Sequence, residues 1–356
     1  IEQVKADFFA SGAERNPVFT YRPTQIDFAR AKRRLFQIPV ESVEDPTLSY
    51  LFCNQQQAIE RMFLMLEDIN TKRFLYGSLS LYGEPDDELA AISKDILRIL
   101  PGKTGAQLSG QYVEGKDFAQ LAEAEIAHYA SIYKEVKSPV EVRSDLSAIM
   151  VSHGRLLIGS DTRVPIIRVE ATLAHEVGVH LVTYWNGRAQ PFRQLHVGLP
   201  GFEEVQEGVA VLAEYLAGGL TNNRLRTLAA RVVAVDSMLK GASFVEVFRQ
   251  LTRDYGLGEG VAFDNIVRAF RGGGMTRPAI YLRGLVWILD YLRNGGDLDL
   301  LTCGKIGAWH VPIIQELYKK KVLVPPPLRP RVFDHPEAQA RLERIRIGCT
   351  ILDLFR

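Results

Sequence analysis

Cysteine is scarce in this chain. There are three in 356 residues, Cys53, Cys303 and Cys349, widely spaced and without a CxxC pair. So odd and scattered a set makes no disulfide framework, and a reducing, cytoplasmic compartment is the expectation. Charge of one sign is missing too: 43 Lys+Arg stand against 42 Asp+Glu. Whole-chain attraction to nucleic acid or to an anionic membrane is therefore not indicated. No apolar run reaches the roughly 18 residues that span a bilayer. The opening Ile1-Glu2-Gln3-Val4-Lys5 lacks the basic-then-apolar layout of a secretory leader. What is present is ordinary for a folded globular protein, 47% hydrophobic and 24% charged residues. A chain of this length allows two or three domains and a core that needs no disulfide staples.

The first 138 residues read as mostly helical. Apolar positions recur at helical spacing over 25–36, 48–69, 84–100 and 117–134. Thr24 is a candidate N-cap for the first helix, Pro85-Asp86-Asp87 suit the start of the third, and a Gly-containing loop is expected near Ser109–Gly115. The character changes at Pro139. Residues 140–142, 148–151 and 155–158 look like strands, with Ser152-His153-Gly154 as a hairpin turn. A helix follows over 169–184, and further helices are expected over 202–217, 223–239, 243–255, 265–271, 278–293 and 336–347. The expected division is an N-terminal helical region (1–138), a catalytic core (139–300) and a C-terminal helical segment on that core (301–356).

The helix at 169–184 carries His175-Glu176-Val177-Gly178-Val179-His180, an H-E-x-x-x-H pattern. The zinc motif H-E-x-x-H sets two histidines four apart on one helix face. Five steps at roughly 100° each leave the second ring about 140° away from the first. An undistorted α-helix would not let both bind one ion, whereas a π-bulge widens the turn by one residue and restores the face. The motif thus predicts its own distortion, and Gly178 would tolerate it. Glu176, beside the first histidine, is the natural general base.

Catalytic zinc usually takes three protein ligands. The next helix offers Glu203-Glu204-Val205-Gln206-Glu207-Gly208-Val209-Ala210. Three glutamates among apolar residues are costly if buried unpaired, and a metal would remove that cost. Gly208 and Ala210 beside Glu207 let another backbone or an ion come close. Glu203, one turn earlier, suits a supporting role toward a histidine N–H. A solvated acidic face is the alternative for this segment taken alone.

These two motifs, with Gly198-Leu199-Pro200-Gly201-Phe202 leading into the second, resemble the microtubule-associated tyrosine carboxypeptidase family, including its bacterial "QEGLA motif" relatives. The likeness extends from Asn16-Pro17-Val18-Phe19 through Ser80-Leu81-Tyr82-Gly83 to Tyr281-Leu282-Arg283-Gly284. It implies that His175, His180 and Glu207 hold one Zn2+ per chain and that Glu176 is the catalytic base. It also implies removal of a C-terminal residue, tyrosine in some members, from a peptide or protein tail. Here QEGLA reads Gln206-Glu207-Gly208-Val209-Ala210, which keeps the ligand. Pro278 departs from the Lys/Arg-Asp pair common in the family before Tyr281.

Supporting groups are less marked. Tyr281, entered through Gly272-Gly273-Gly274, is the candidate oxyanion donor, with core packing as the alternative. Arg277, one turn earlier, could take a substrate carboxylate in bidentate fashion; Arg283 and Arg271 are weaker choices. Arg188, Gln190 and Arg193 follow Asn186-Gly187 on a loop expected between the two metal-bearing helices, near the open zinc position, where they would read substrate ends; an ordinary solvated connector is the alternative. His128, His310 and His335 have no partner at ligand spacing, His153 reads as structural and His196 as a surface histidine. The hairpin before the metal helix could offer an edge strand to a peptide.

The fold class expected is α+β, predominantly helical, with a zincin-like metallopeptidase domain and a small sheet beside the metal helix. The function expected is zinc-dependent peptide hydrolysis, most simply by a carboxypeptidase. Two alternatives stay open: an aminopeptidase-like dipeptidyl peptidase using the same H-E-x-x-x-H logic, and a metal-stabilised regulatory protein without activity.

Overall fold

The computed structural model describes residues 1–102 and 110–355. Most of the chain is helical and two small sheets accompany the helices, so the predominantly helical α+β class holds. Two compact units emerge, each built from two separated segments: Ile1–Ala106 with Asn222–Leu282, and Gln107–Thr221 with Arg283–Arg356.

The secondary-structure elements of the first unit's described residues are all helices. The helix Asn222–Leu239 packs against Asp87–Ile99 and Glu259–Phe270. Its Leu225, Leu228, Val232 and Val235 recur at three- and four-residue steps, and all are fully buried. Phe8, Phe244, Phe248 and Phe263 form a cluster in which three pairs meet edge-to-face, an arrangement that aromatic quadrupoles favour, and Phe8 and Phe263 are tilted at 46°. Helix starts follow capping chemistry. Asp45 and Asp86 accept bonds from Leu48 and Leu89 N–H at the heads of Pro46–Glu67 and Asp87–Ile99. The cap expected at Thr24 is instead Asp27, whose carboxylate accepts from the Arg30 N–H as the helix Phe28–Phe36 begins. Thr24 lies too far upstream and accepts from Ile26 N–H.

The second unit holds both sheets. Strands β1 (Tyr112–Glu114), β2 (Val140–Arg143), β3 (Ile149–Ser152), β4 (Arg155–Gly159) and β5 (Arg163–Pro165) pair as β1-β5 and β2-β4-β3. The three strands foreseen over 140–158 are present, and the β1-β5 pair is an addition. The loop expected near Ser109 starts outside the described residues; Tyr112–Glu114 is strand and Gly115 opens a helix. β3 and β4 join through His153 and Gly154, both at positive φ (50° and 76°), the geometry of a tight two-residue hairpin. β2 runs parallel to β4, with Val140 opposite Leu156.

Leu156 and Ile158 of β4 are fully buried and share a core with Phe118 and Ala122 from the helix Gly115–Ile132. Val177, Leu181 and Trp185 join the same core. Spaced four apart, they fix one side of the long helical run 169–189 to the sheet and leave its other side for the candidate site. Beyond that run, buried Asn186 donates to the carbonyls of Thr302 and Leu328 and accepts from the Leu328 N–H. Gln190 exchanges two bonds with the Val324 backbone. The proline-rich stretch 322–328 is thereby latched to the end of this helix. Among the described residues no helix is long and apolar enough to cross a membrane, and the three cysteines are unpaired.

Candidate metal centre

The five-residue histidine spacing has the predicted consequence. Residues Val169–Leu173 are α-helical, Ala174–Leu181 form a π-helix, and Val182–Ala189 return to α. The wider turn brings the His175 and His180 rings to 4.8 Å between centroids, inclined at 76°. Gly178 is not what permits this. Its φ is not positive, and a Cβ there would meet its nearest neighbour, the Tyr129 hydroxyl, at 3.7 Å. The distortion rests on the run as a whole, pinned on its far side by Val177 and Leu181.

The helix Phe202–Leu216 supplies the opposing carboxylate. Glu207 Oε2 lies 3.6 Å from His175 Nε2 and 3.7 Å from His180 Nε2. Both separations exceed hydrogen-bond length. That oxygen is buried and has no hydrogen-bond partner among the described residues. Two ligands bound at 2.0–2.1 Å to a tetrahedral ion stand roughly 3.4 Å apart. The three donors therefore fit a small divalent cation, and they are the N/O set that zinc accepts. Glu176 Oε1 is 3.9 Å from His175 Nε2, and His175, Glu176 and His180 offer ligand atoms all within 4.8 Å of one another. The small residue after Glu207 admits another backbone, as its type suggested. A Cβ on Gly208 would strike the Gly284 carbonyl carbon at 2.5 Å, and one on Gly284 would strike the Glu204 carbonyl oxygen at 2.1 Å.

Behind the donors stands a carboxylate that sequence reasoning did not single out. Glu214 is 1% exposed; its Oε1 stands 2.9 Å from His175 Nδ1, and its Oε2 accepts from Arg168 Nη2 at 2.7 Å. A carboxylate that close to Nδ1 favours a proton there and leaves Nε2, 3.6 Å from Glu207 Oε2, as the free donor. Burial lowers the His175 pKa, but the bond to Glu214 and the charges of Glu176, Glu214 and Glu207 outweigh it and the net shift is upward. His180 goes the other way. Burial, against the pull of Glu207, brings it down to about 4. At neutral pH His180 is uncharged, the form a metal requires.

The remaining predicted residues are placed as follows. Glu203 acts electrostatically on Lys305, and the carboxylate beside His175 Nδ1 is Glu214 instead. Arg283 Nε bonds Glu204 Oε2 at 2.8 Å and its Nη2 contacts the same oxygen. Arg188 is exposed and stacks over Trp185 at 5.6 Å. It lies in the helix Val182–Ala189, not on a connector. Arg277 and Tyr281 belong to the first unit. There Arg277 lies 6.0 Å from the Tyr82 ring centroid, and the Arg231 guanidinium sits 4.8 Å over the Tyr281 ring. Pro278 occupies the first turn of a short 3-10 segment, Arg277–Ala279, where a missing N–H does no harm. A signal for Glu214 was available, since a lone acid inside Val209-Ala210-Val211-Leu212-Ala213 and Tyr215-Leu216 must be paired if buried. It lies two turns beyond Glu207 on the same helix.

No individually curated protein matches the sequence. The family model for microtubule-associated tyrosine carboxypeptidase matches residues 6–348, nearly the whole chain. With that extent of match enclosing both halves of the donor set, the chain belongs to the microtubule-associated tyrosine carboxypeptidase family.

Proposed function

We propose that the protein is a zinc-dependent carboxypeptidase that removes the last residue of a peptide or protein tail, tyrosine-type as the family's name states. The observation that carries the metal part is the buried, unpartnered Glu207 Oε2 facing two imidazole nitrogens across 3.6 and 3.7 Å. His175, His180 and Glu207 would hold the ion in a zincin-like arrangement centred on the π-helix. Bound there, zinc would supply Lewis acidity to the carbonyl under attack.

The chain's own residues would do the rest. Glu176 takes a proton from the attacking water and delivers it to the departing amine, so one carboxylate serves both half-steps. Glu214 and Arg168 keep His175 in one tautomer. Tyr281 as oxyanion donor remains a proposal from the sequence, and Tyr281→Phe tests it by its effect on kcat. The edge strand β3 beside the metal helix offers backbone groups that an extended peptide could pair with. The cysteine usage supports a reducing, cytoplasmic setting.

Metal analysis tests this reading. One zinc per chain is expected in the unaltered protein and in Glu176→Gln, and none in His175→Ala. Full zinc occupancy in His175→Ala would sink the assigned ligand set.

A further inference from the structure

The segment Gly304-Lys305-Ile306-Gly307 is threaded against the connector between the two metal-bearing helices. The Lys305 N–H donates to the Leu195 carbonyl at 2.7 Å, and its carbonyl accepts from Leu199 N–H at 2.9 Å. Glycines on both sides make the approach feasible. A Cβ on Gly304 would meet the Leu195 carbonyl oxygen at 2.9 Å, and one on Gly307 the Pro200 carbonyl oxygen at 2.5 Å. The backbone of Lys305 is thus fixed independently of its side chain.

That side chain ends between the two helices that carry the metal donors. Its Nζ lies 5.8 Å from the Tyr184 ring centroid and 5.3 Å from that of Phe202. Tyr184 is one turn beyond His180, and Phe202 opens the helix of Glu207. Aromatic faces stabilise an ammonium without neutralising it. Among the described residues Lys305 has no ion pair and no side-chain hydrogen bond; Glu203 acts on it only at longer range. Its charge also bears on His196 nearby, whose pKa it helps lower. Arg188 and Arg193 add to the positive field at His196. Arg283, another cation in this unit, is already bound to Glu204.

A cation held in place without an anion of its own, beside a site that cleaves peptide bonds, selects the end of the chain that carries negative charge. We propose that Lys305 binds the α-carboxylate of the substrate's last residue and thereby restricts the site to peptide C-termini. A protonated N-terminus at the same point would be repelled. This rests on the peptidase reading above and supplies its end-selectivity.

The test compares two acetylated peptides ending in tyrosine, alike except that one has a free C-terminal carboxylate and the other a C-terminal amide. A charge-assisted bond of this kind is expected to favour the acid roughly tenfold to a hundredfold in kcat/KM, mainly through KM. In Lys305→Met the preference should collapse to near unity, and in Lys305→Arg most of it should return. A preference that survives Lys305→Met, or one that is abolished by Arg277→Met instead, overturns the proposal. A binding arm separates it from the peptidase reading. Zinc-loaded Glu176→Gln protein should bind N-acetyltyrosine more tightly than N-acetyltyrosinamide, and Lys305→Met should erase the difference. If neither peptide is cut but that difference holds, the peptidase reading fails and the carboxylate site stands. Equal binding of the two probes overturns the carboxylate site whatever the activity.

Discussion

Removing the charge of Glu214 tests how far the proposed metal centre depends on a residue behind its ligands. In Glu214→Gln the buried side chain keeps its size, but the partner of His175 Nδ1 and of Arg168 becomes a neutral amide. Two effects follow. Loss of a carboxylate behind a ligating histidine is expected to weaken zinc binding roughly tenfold to a hundredfold, equivalent to about 1.4–2.7 kcal/mol. Breaking an ion pair with one partner fully buried costs about 3–5 kcal/mol of fold stability. At 22% side-chain exposure Arg168 keeps some water, which places the cost at the low end of that range. The double variant Glu214→Gln/Arg168→Met separates the two effects. It should regain part of the stability, because no unpaired charge remains, while zinc affinity stays low. Chelator competition reads the first quantity and denaturant unfolding of the metal-free protein the second. Wild-type zinc affinity in Glu214→Gln would refute the reasoning.

Two glycines should respond in opposite ways. Gly178→Ala, with no atom nearer than 3.7 Å to the new methyl, should change stability by less than about 1 kcal/mol and keep metal binding. Gly284→Ala drives a methyl into the Glu204 carbonyl and should cost about 3 kcal/mol or more; equal melting temperatures for the two would contradict the packing described. His310 is fully buried, accepts from the Gly307 N–H through Nδ1 and is pushed down by burial to about 4, from 6.5. Its depressed value means the unfolded chain takes up the proton first. The stability is therefore complete above pH 6.5 and falls as pH drops toward 4, by about 2 kcal/mol between pH 7 and 5. His310→Asn should flatten that slope in denaturant titrations, and an unchanged slope would show that another group carries it.

The candidate centre was legible in the sequence because its geometry is local. A five-residue step between histidines demands a wider helical turn, and the turn is there. Glu207 was marked by its apolar neighbours and by Gly208, which does meet a backbone. Glu214 and Lys305 were not legible in the same way. Their importance comes from what folding places beside them, His175 from another helix and the 195–199 connector from a hundred residues upstream. The helices Glu2–Ala10, Arg73–Tyr82 and Val311–Lys319 escaped the periodicity reading. Short helices owe their stability to packing more than to their own pattern. The β1-β5 pair has three residues per strand, too few for alternation to register. Nor does a reading along the chain carry any signal that each compact unit is assembled from two distant segments.

The central claim is that this chain shortens peptides from their C-terminal end, with Glu176 as the base. Mass spectrometry of a mixed peptide library after incubation with zinc-loaded protein tests it most directly, with Glu176→Gln alongside. The account expects loss of single C-terminal residues with the unaltered protein and none with the variant. Equal cleavage by the variant, or products shortened from their N-termini, would contradict it.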